Sequence, residues 1–302
     1  MSHLISILLP TRGRPALVAR LFASISETTS ELNQVEVVLY VDEDDTDSHS
    51  LDSMDFRVVR IVGPTLTMGG YNSACLAKAQ GEILILANDD MVIRTVGWDD
   101  RIRTMNDEFV NKIYLGYAND LFKKSRFCTF PIMSRLTCEL LLDPYPMAYR
   151  RVFIDVHLFD IFKRLQHSGF DRIRYFDDLV FEHLHYRNGK APWDETYGYS
   201  RSGRFADDST FIALAPIRSA AAKRLLSAIR NESFFKVSEP MPQSTVQSAF
   251  TLASCISPRT FLLDSELPYR WRLFLWYWFI GRYLASKGFL QLFFRYFVNR
   301  RF

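Results

Sequence analysis

The sequence predicts an α/β protein whose mostly parallel central sheet is flanked by helices. Two features of the first hundred residues point there: short apolar runs alternate with helically spaced segments, and the runs end in polar, often acidic, residues. Alternation of this kind gives a sheet with both faces covered by crossover helices. Ligands of such sheets bind beyond the carboxyl ends of the strands, so the acidic ends mark the functional edge.

Residues 4–9 are a short apolar run suited to a buried strand, and Pro10 stops it. Residues 15–26 show helical spacing through Leu17, Val18, Leu21, Phe22 and Ile25. Residues 35–41 and 57–62 read as two further strands, 72–79 as a helix closed by Gly81, and 83–87 as a fourth strand. The stretch 110–215 is less regular. Its clearest unit is a helix over 155–168, with Asp155 at the N-cap and Gly169 as the C-terminal stop. A strand of mixed polarity at 172–185 follows, then a loop at 187–204 rich in Gly, Tyr, Arg and Ser that reads as a mobile lid. A helix over 219–230 leads to an aromatic tail.

The chain has 302 residues, 48% hydrophobic and 24% charged, enough for one large domain with or without an appendage. Low complexity and internal repeats are absent, which excludes disorder and solenoids. The four cysteines, Cys75, Cys128, Cys138 and Cys255, have neither CxxC nor zinc-ligand spacing and read as reduced thiols of a cytoplasmic protein. The N-terminus enters a strand directly, without the basic and apolar regions of a secretory leader. Net charge is +3, but residues 270–302 hold seven Lys/Arg and no acid, which leaves the rest of the chain at −4. That asymmetry argues against a nucleic-acid-binding surface and for a local attachment surface.

The sharpest chemistry lies where Ile83-Leu84-Ile85-Leu86-Ala87 runs into Asn88-Asp89-Asp90. Two carboxylates at the mouth of a buried strand stay ionised together at high cost unless a cation compensates them. Hard oxygen ligands suit Mg²⁺ or Mn²⁺, which can bridge a substrate diphosphate. His183 and His185 lie two apart and would share one side of a strand. Together with a carboxylate they suggest a metal or phosphate contact, with His183 as the preferred ligand and His185 the alternative.

Residues 5–100 resemble the donor half of the family 2 glycosyltransferases and their GT-A relatives. Ile5-Ser6-Ile7-Leu8-Leu9-Pro10-Thr11-Arg12 is similar to their nucleotide-binding first strand and turn, and Val37–Asp45 to the second strand, whose terminal acid, here Asp42, holds the base. Gly70-Tyr71-Asn72-Ser73-Ala74 and Ala79-Gln80-Gly81-Glu82 resemble the approach to the DxD motif. The motif itself departs from the pattern, with Asn88 in its first position. The resemblance thus implies Asp90 as metal ligand, Asp89 or Asn88 assisting or contacting ribose, and nucleotide contacts from Pro10, Thr11, Arg12, Asp42 and Asn72. The segment from Phe153 to His185 resembles the acceptor side of the same enzymes. It implies Asp155 as general base, with Asp177 and Asp178 as alternatives, and a histidine completing the metal site. Lys190, Arg201 and Arg204 would neutralise leaving-group phosphate from the lid.

The implied activity is inverting, metal-dependent transfer from a nucleotide sugar, by default a UDP-sugar, to a hydroxyl of a glycan or lipid-linked acceptor, as in building a bacterial surface polysaccharide. Residues 1–215 would form the GT-A domain, with a donor half at 1–105 and an acceptor half at 106–215; 216–302 would form a helical appendage. A nicotinamide-binding fold is excluded, since no two glycines are separated by a single residue. A sugar-phosphate nucleotidyltransferase and an inactive, membrane-attached sugar-binding relative are the alternatives. From Trp271 to Phe302 there are thirteen aromatic residues and six Lys/Arg, too interrupted to span a membrane. This tail reads as an in-plane anchor on the anionic inner face of the cytoplasmic membrane, or as a surface packed on the body or across a homodimer.

Overall fold

A computed structural model describes residues 3–194, 196–198, 205–231, 251, 257 and 259–289. The strands are β1 (Ile5–Thr11), β2 (Val35–Asp42), β3 (Arg57–Gly63), β4 (Ile83–Leu86), β5 (Met91–Ile93), β6 (Leu115–Asn119), β7 (Ile132–Ser134) and β8 (Ile173–His183). They form one sheet in the order β3-β2-β1-β4-β7-β6-β8-β5. β1 to β4 are parallel, as is β6 with β8, while β7 and β5 join antiparallel. The helices are α1 (Pro15–Thr28), α2 (Met68–Lys78), α3 (Trp98–Glu108), α4 (Arg135–Leu141), α5 (Ile154–His167), α6 (Asp208–Ala213), α7 (Ala215–Ile229) and α8 (Tyr269–Ser286).

Alternation along the buried strands splits the core in two. Ile7 and Leu9 of β1, with Val37, Leu39 and Ile85, face α1 and α3, where Trp98 and Ile102 close the layer. Leu8, Val38 and Leu84 point the other way into a larger cluster with Leu115, Phe159, Phe162, Leu225 and Phe279. α7 and α8 therefore pack into the same core as the first strands.

Several boundaries differ from those the spacing predicts. α2 begins at Met68, one turn before Asn72, with Thr67 Oγ1 accepting from the Gly70 amide at 3.1 Å. Gly69 and Gly70 carry no apolar signal, yet a Cβ on Gly69 would lie 2.0 Å from the Pro146 carbonyl oxygen, so only glycine fits this approach. Residues 110–135 hold two strands of five and three residues, too short for a periodic pattern to register. α5 starts at Ile154, with Phe153 as its N-cap, so Asp155 is inside the first turn and not at the cap. Gly169, at φ +92°, ends α5 as expected.

Phe153 sits at φ +80°, a left-handed conformation costly for a bulky residue. The α8 tail holds it there. Phe279 and Trp278 lie with ring centroids 5.7 and 5.4 Å from Phe153, Phe211 at 5.3 Å, and the Arg282 guanidinium 4.8 Å over its face. Arg282 also pairs with Asp208, whose neighbour Asp207 accepts the amides of Arg150, Arg151 and Val152 at 2.8–3.0 Å. Deeper, Asp160 of α5 accepts from Arg164, Arg218 and the Trp271 indole, joining α5, α7 and α8.

Trp271, Leu275 and Phe279 form the buried stripe of α8, while Tyr269 and Tyr277 are exposed. This part of the tail packs on the body. No described helix is long and apolar enough to cross a membrane, and residues 290–302 lie outside the described residues. Phe279→Ala should lower stability in urea unfolding by about 3–5 kcal/mol, whereas Tyr277→Ala should change it by less than about 0.5 kcal/mol.

Candidate active site

The acidic strand ends meet where β4, β5 and β8 converge. β5 pairs with β8 so that Met91 faces His183, and the Leu184 amide donates to the Asp90 carbonyl at 2.8 Å. This ladder brings together two side chains 93 residues apart: His183 Nε2 lies 3.2 Å from Asp90 Oδ2. Both residues are buried, and each keeps one atom without a partner, Asp90 Oδ1 and His183 Nδ1. Burial alone would raise the Asp90 carboxyl. The hydrogen bond and charge of His183, with a hydrogen bond from Tyr197, outweigh it and hold the carboxyl below the usual range.

A buried carboxylate oxygen and a buried imidazole nitrogen left unpaired cost free energy unless a ligand takes them up. Their oxygen and nitrogen chemistry fits a divalent ion that completes its coordination with diphosphate and water. Among the described residues no group of three or more His, Cys, Asp or Glu side chains could hold a metal, so the Asp90–His183 pair stands as two potential ligands. His185 lies next to it, its ring 5.2 Å from that of His183, and burial and the charge of His183 push it down to about 4.

Asp89 turns toward the first strand. Its carboxylate accepts from Thr11 Oγ1 at 3.0 Å and from Arg14 Nη1 at 2.9 Å. Burial pushes it up to about 6 despite the Arg14 charge. Arg14 also forms a two-pronged pair with Asp194 at 2.7 and 3.0 Å and lies 4.2 Å over the Tyr197 ring. Tyr197 donates to Asp90 Oδ2 at 2.9 Å, and Asp194 caps the Tyr197 amide. The expected lid segment is thus closed over the carboxylates at Asp194 and Tyr197. Neither these two nor Arg14 was singled out in the sequence; the arginine three residues beyond Thr11 was the available signal.

Asp42 is fully buried and accepts from Arg12, from Thr65 Oγ1 at 3.1 Å and from the Tyr71 hydroxyl at 2.7 Å. Arg12 reaches on to Asp44, so the β1 and β2 ends are zipped together. Pro10 is partly buried just before this junction, Asn88 is exposed at the mouth of β4, and Asn72 is buried in α2 with its Oδ1 unpaired.

Asp155 is partly buried at the start of α5, and its Oδ1 accepts from the Val156 amide at 2.8 Å. Burial raises its carboxyl above the usual range, although the charges of His183 and Lys123 reach it and pull the other way. Asp177 and Asp178 fall in a bulge of β8 away from this cluster, where Asp178 makes a two-pronged pair with Arg101 of α3. Lys190 is held by Glu182 on the opposite face of β8. Arg201 and Arg204 lie outside the described residues. Asp120 was not anticipated: it follows β6 and accepts three successive amides, from Phe122, Lys123 and Lys124, at 2.7–2.9 Å. Its carbonyl receives the His183 amide at 3.1 Å, which ties this loop to the site.

Arg14→Met would strand the buried Asp89 carboxylate and should cost about 3–5 kcal/mol in chemical unfolding. Adding Asp89→Asn should recover much of that loss, since no unpaired charge is then buried.

No protein-family model matches the chain, and no curated protein matches it in sequence. Solved structures do. A mannosyltransferase from Pyrobaculum calidifontis, in complex with GDP-Man and Mn²⁺, aligns over 96% of this chain and 88% of its own at 14% identity and a TM-score of 0.52. The S. aureus protein TarS (residues 1–349) aligns over 77% of this chain and 93% of its own, at 13% identity and a TM-score of 0.46. Glucosyl-3-phosphoglycerate synthase from Mycobacterium tuberculosis covers 66% of this chain and 76% of its own, at 17% identity and a TM-score of 0.41. With its β1–β4 parallel unit, the antiparallel returns of β5 and β7 and the acidic mouth of β4, this chain has the GT-A glycosyltransferase type of fold.

Proposed function

We propose that the protein is a glycosyltransferase that moves a sugar from a nucleotide-sugar donor to an acceptor hydroxyl, with inversion at the sugar carbon. One observation carries this reading: a buried Asp90–His183 pair with an unpaired oxygen and nitrogen stands within electrostatic reach of Asp155, a carboxylate with no cationic side chain bonded to it among the described residues. The solved mannosyltransferase of like fold, bound to GDP-Man and Mn²⁺, supports it.

Asp90 and His183 would hold Mn²⁺ or Mg²⁺, which when bound compensates charge on the departing nucleoside diphosphate. Asp155 takes the proton of the acceptor hydroxyl as that oxygen attacks the sugar carbon. Its raised pKa brings its basicity closer to neutrality than that of a free aspartate. Arg14, Asp194 and Tyr197 close the donor side and exclude water from the reacting carbon. Tyr197 and His183 share Asp90 Oδ2, which leaves Oδ1 for a ligand.

Incubation with a panel of nucleotide sugars and Mn²⁺ should release nucleoside diphosphate. Release of inorganic pyrophosphate instead, from a sugar phosphate and a nucleoside triphosphate, would identify a nucleotidyltransferase. Asp90→Ala should abolish metal-dependent donor binding while the fold persists, and turnover that survives both this change and chelation would reject the site. Asp155→Asn should lower transfer at least about 100-fold with donor affinity nearly unchanged. Since Asp155 must be ionised to act, wild-type kcat should fall as pH drops through a pKa above the ~4 of a free aspartate. A limb at the free-aspartate value would exclude Asp155 as the base.

A further inference from the structure

Almost every cation around the strand ends is matched by a carboxylate. Arg12 has Asp42 and Asp44, Arg14 has Asp89 and Asp194, Arg94 and Lys190 share Glu182, and Arg101 has Asp178. Three cations on the Asp155 side break this rule, as does Lys124 beside them in the chain. Lys123, Arg126 and Arg187 are exposed and have no carboxylate within ion-pair distance among the described residues. Lys123 Nζ lies 4.3 Å from the Phe122 ring centre, and Arg187 donates to the Tyr186 hydroxyl at 3.0 Å.

Ring contacts place the group. Phe122 stacks on His185 with centroids 6.3 Å apart, and the Tyr186 ring centre lies 4.6 Å from that of His185. Lys123 and Arg187 therefore each stand one aromatic ring away from His185, itself beside the Asp90–His183 pair. Lys123 is also close enough to Arg187, Asp120, Arg126 and Asp155 to feel all four charges, and Cys128, two residues beyond Arg126, donates its thiol to the Asp155 carbonyl at 3.1 Å. The loop is fixed and not a loose end, because Asp120 binds the Phe122, Lys123 and Lys124 amides and Thr129 Oγ1 at 2.7–2.9 Å. Asp120 and Asp155 offset part of the charge of these three cations, and what remains repels unless an anion joins them.

We propose that Lys123, Arg126 and Arg187 form an anion subsite beside Asp155 that binds a phosphate group of the acceptor. The transferase would thus select a phosphorylated acceptor, either a soluble phosphosugar or a lipid with a phosphate headgroup, and hold its free hydroxyl toward Asp155. This assignment rests on the glycosyl-transfer reading, yet it is separable by experiment.

The test is a ³¹P titration of inorganic phosphate into the full chain, with and without saturating Mg²⁺ and UDP or GDP. Phosphate should bind with the nucleotide present, and Lys123→Ala/Arg126→Ala/Arg187→Ala should weaken it at least about 10-fold, as loss of charge-assisted hydrogen bonds implies. All three residues are exposed, and circular dichroism checks that the variant folds. Glucose 6-phosphate, but not glucose, should displace the phosphate if the acceptor is a soluble phosphosugar. Sedimentation with phosphatidylglycerol vesicles but not phosphatidylcholine vesicles, lost in the variant, would assign a lipid headgroup. Phosphate that competes with the nucleotide would give these cations to the donor diphosphate and overturn the proposal. So would phosphate binding that the variant retains, or that neither source displaces, an adventitious ion only. A chain that binds phosphate here but no nucleotide would sink the transferase reading and leave the anion subsite standing.

Discussion

The antiparallel pairing of β5 with β8 is the contact on which the site depends. β5 is three residues long and would be unstable alone, but it lies at the end of the sheet against a strand of eleven. Its register sets Met91 opposite His183, and that places Asp90 and the histidine ring within 3.2 Å. A slip of one residue would send one of them to the other face of the sheet. The pair is made of a carboxylate that favours a cation and an imidazole that favours a metal or a proton. Two buried atoms without partners are the cost of keeping that choice open.

Closure of the donor side uses the same carboxylates. Asp89 and Asp90 face different partners, Arg14 on one hand and His183 with Tyr197 on the other. Adjacent like charges are thereby separated by orientation and compensated individually. The Asp194–Tyr197 segment reaches both through Arg14 and through the phenol, so it reads the state of the pair directly. A ligand that draws Asp90 away weakens one of its two attachments, and the Arg14–Asp194 pair keeps the segment near.

Much of the donor half was legible in the sequence because long apolar strands and their acidic ends are strong local signals. Residues 5–11, 35–42, 57–63 and 83–86 fall where the pattern puts them. Asp90 and His183 meet at 3.2 Å, and the charge of His183 reaches Asp155. What escaped was non-local. β5, β6 and β7 have three to five residues, below the length at which period-2 alternation can register. Asp120 and Asp194 resemble ordinary loop acids until the chain folds around them. Arg14 looked like one more charge in a basic turn, since its two carboxylate partners lie 75 and 180 residues away. The bulge that carries Asp177 and Asp178 away from the site leaves no mark in composition.

The tail has a consequence for how such a chain can change over time. α8 presses Phe279, Trp278 and Arg282 against Phe153, the residue whose left-handed turn starts the helix of Asp155. One peptide bond separates the acid that holds Arg282 from the acid that holds the backbone of residues 150–152. The helix of Asp155 and the C-terminal helix therefore form a single mechanical piece, and neither is an interchangeable module. A lineage that traded this tail for another would have to carry over a matching aromatic face and guanidinium, or lose the angle at which the helix of Asp155 leaves Phe153.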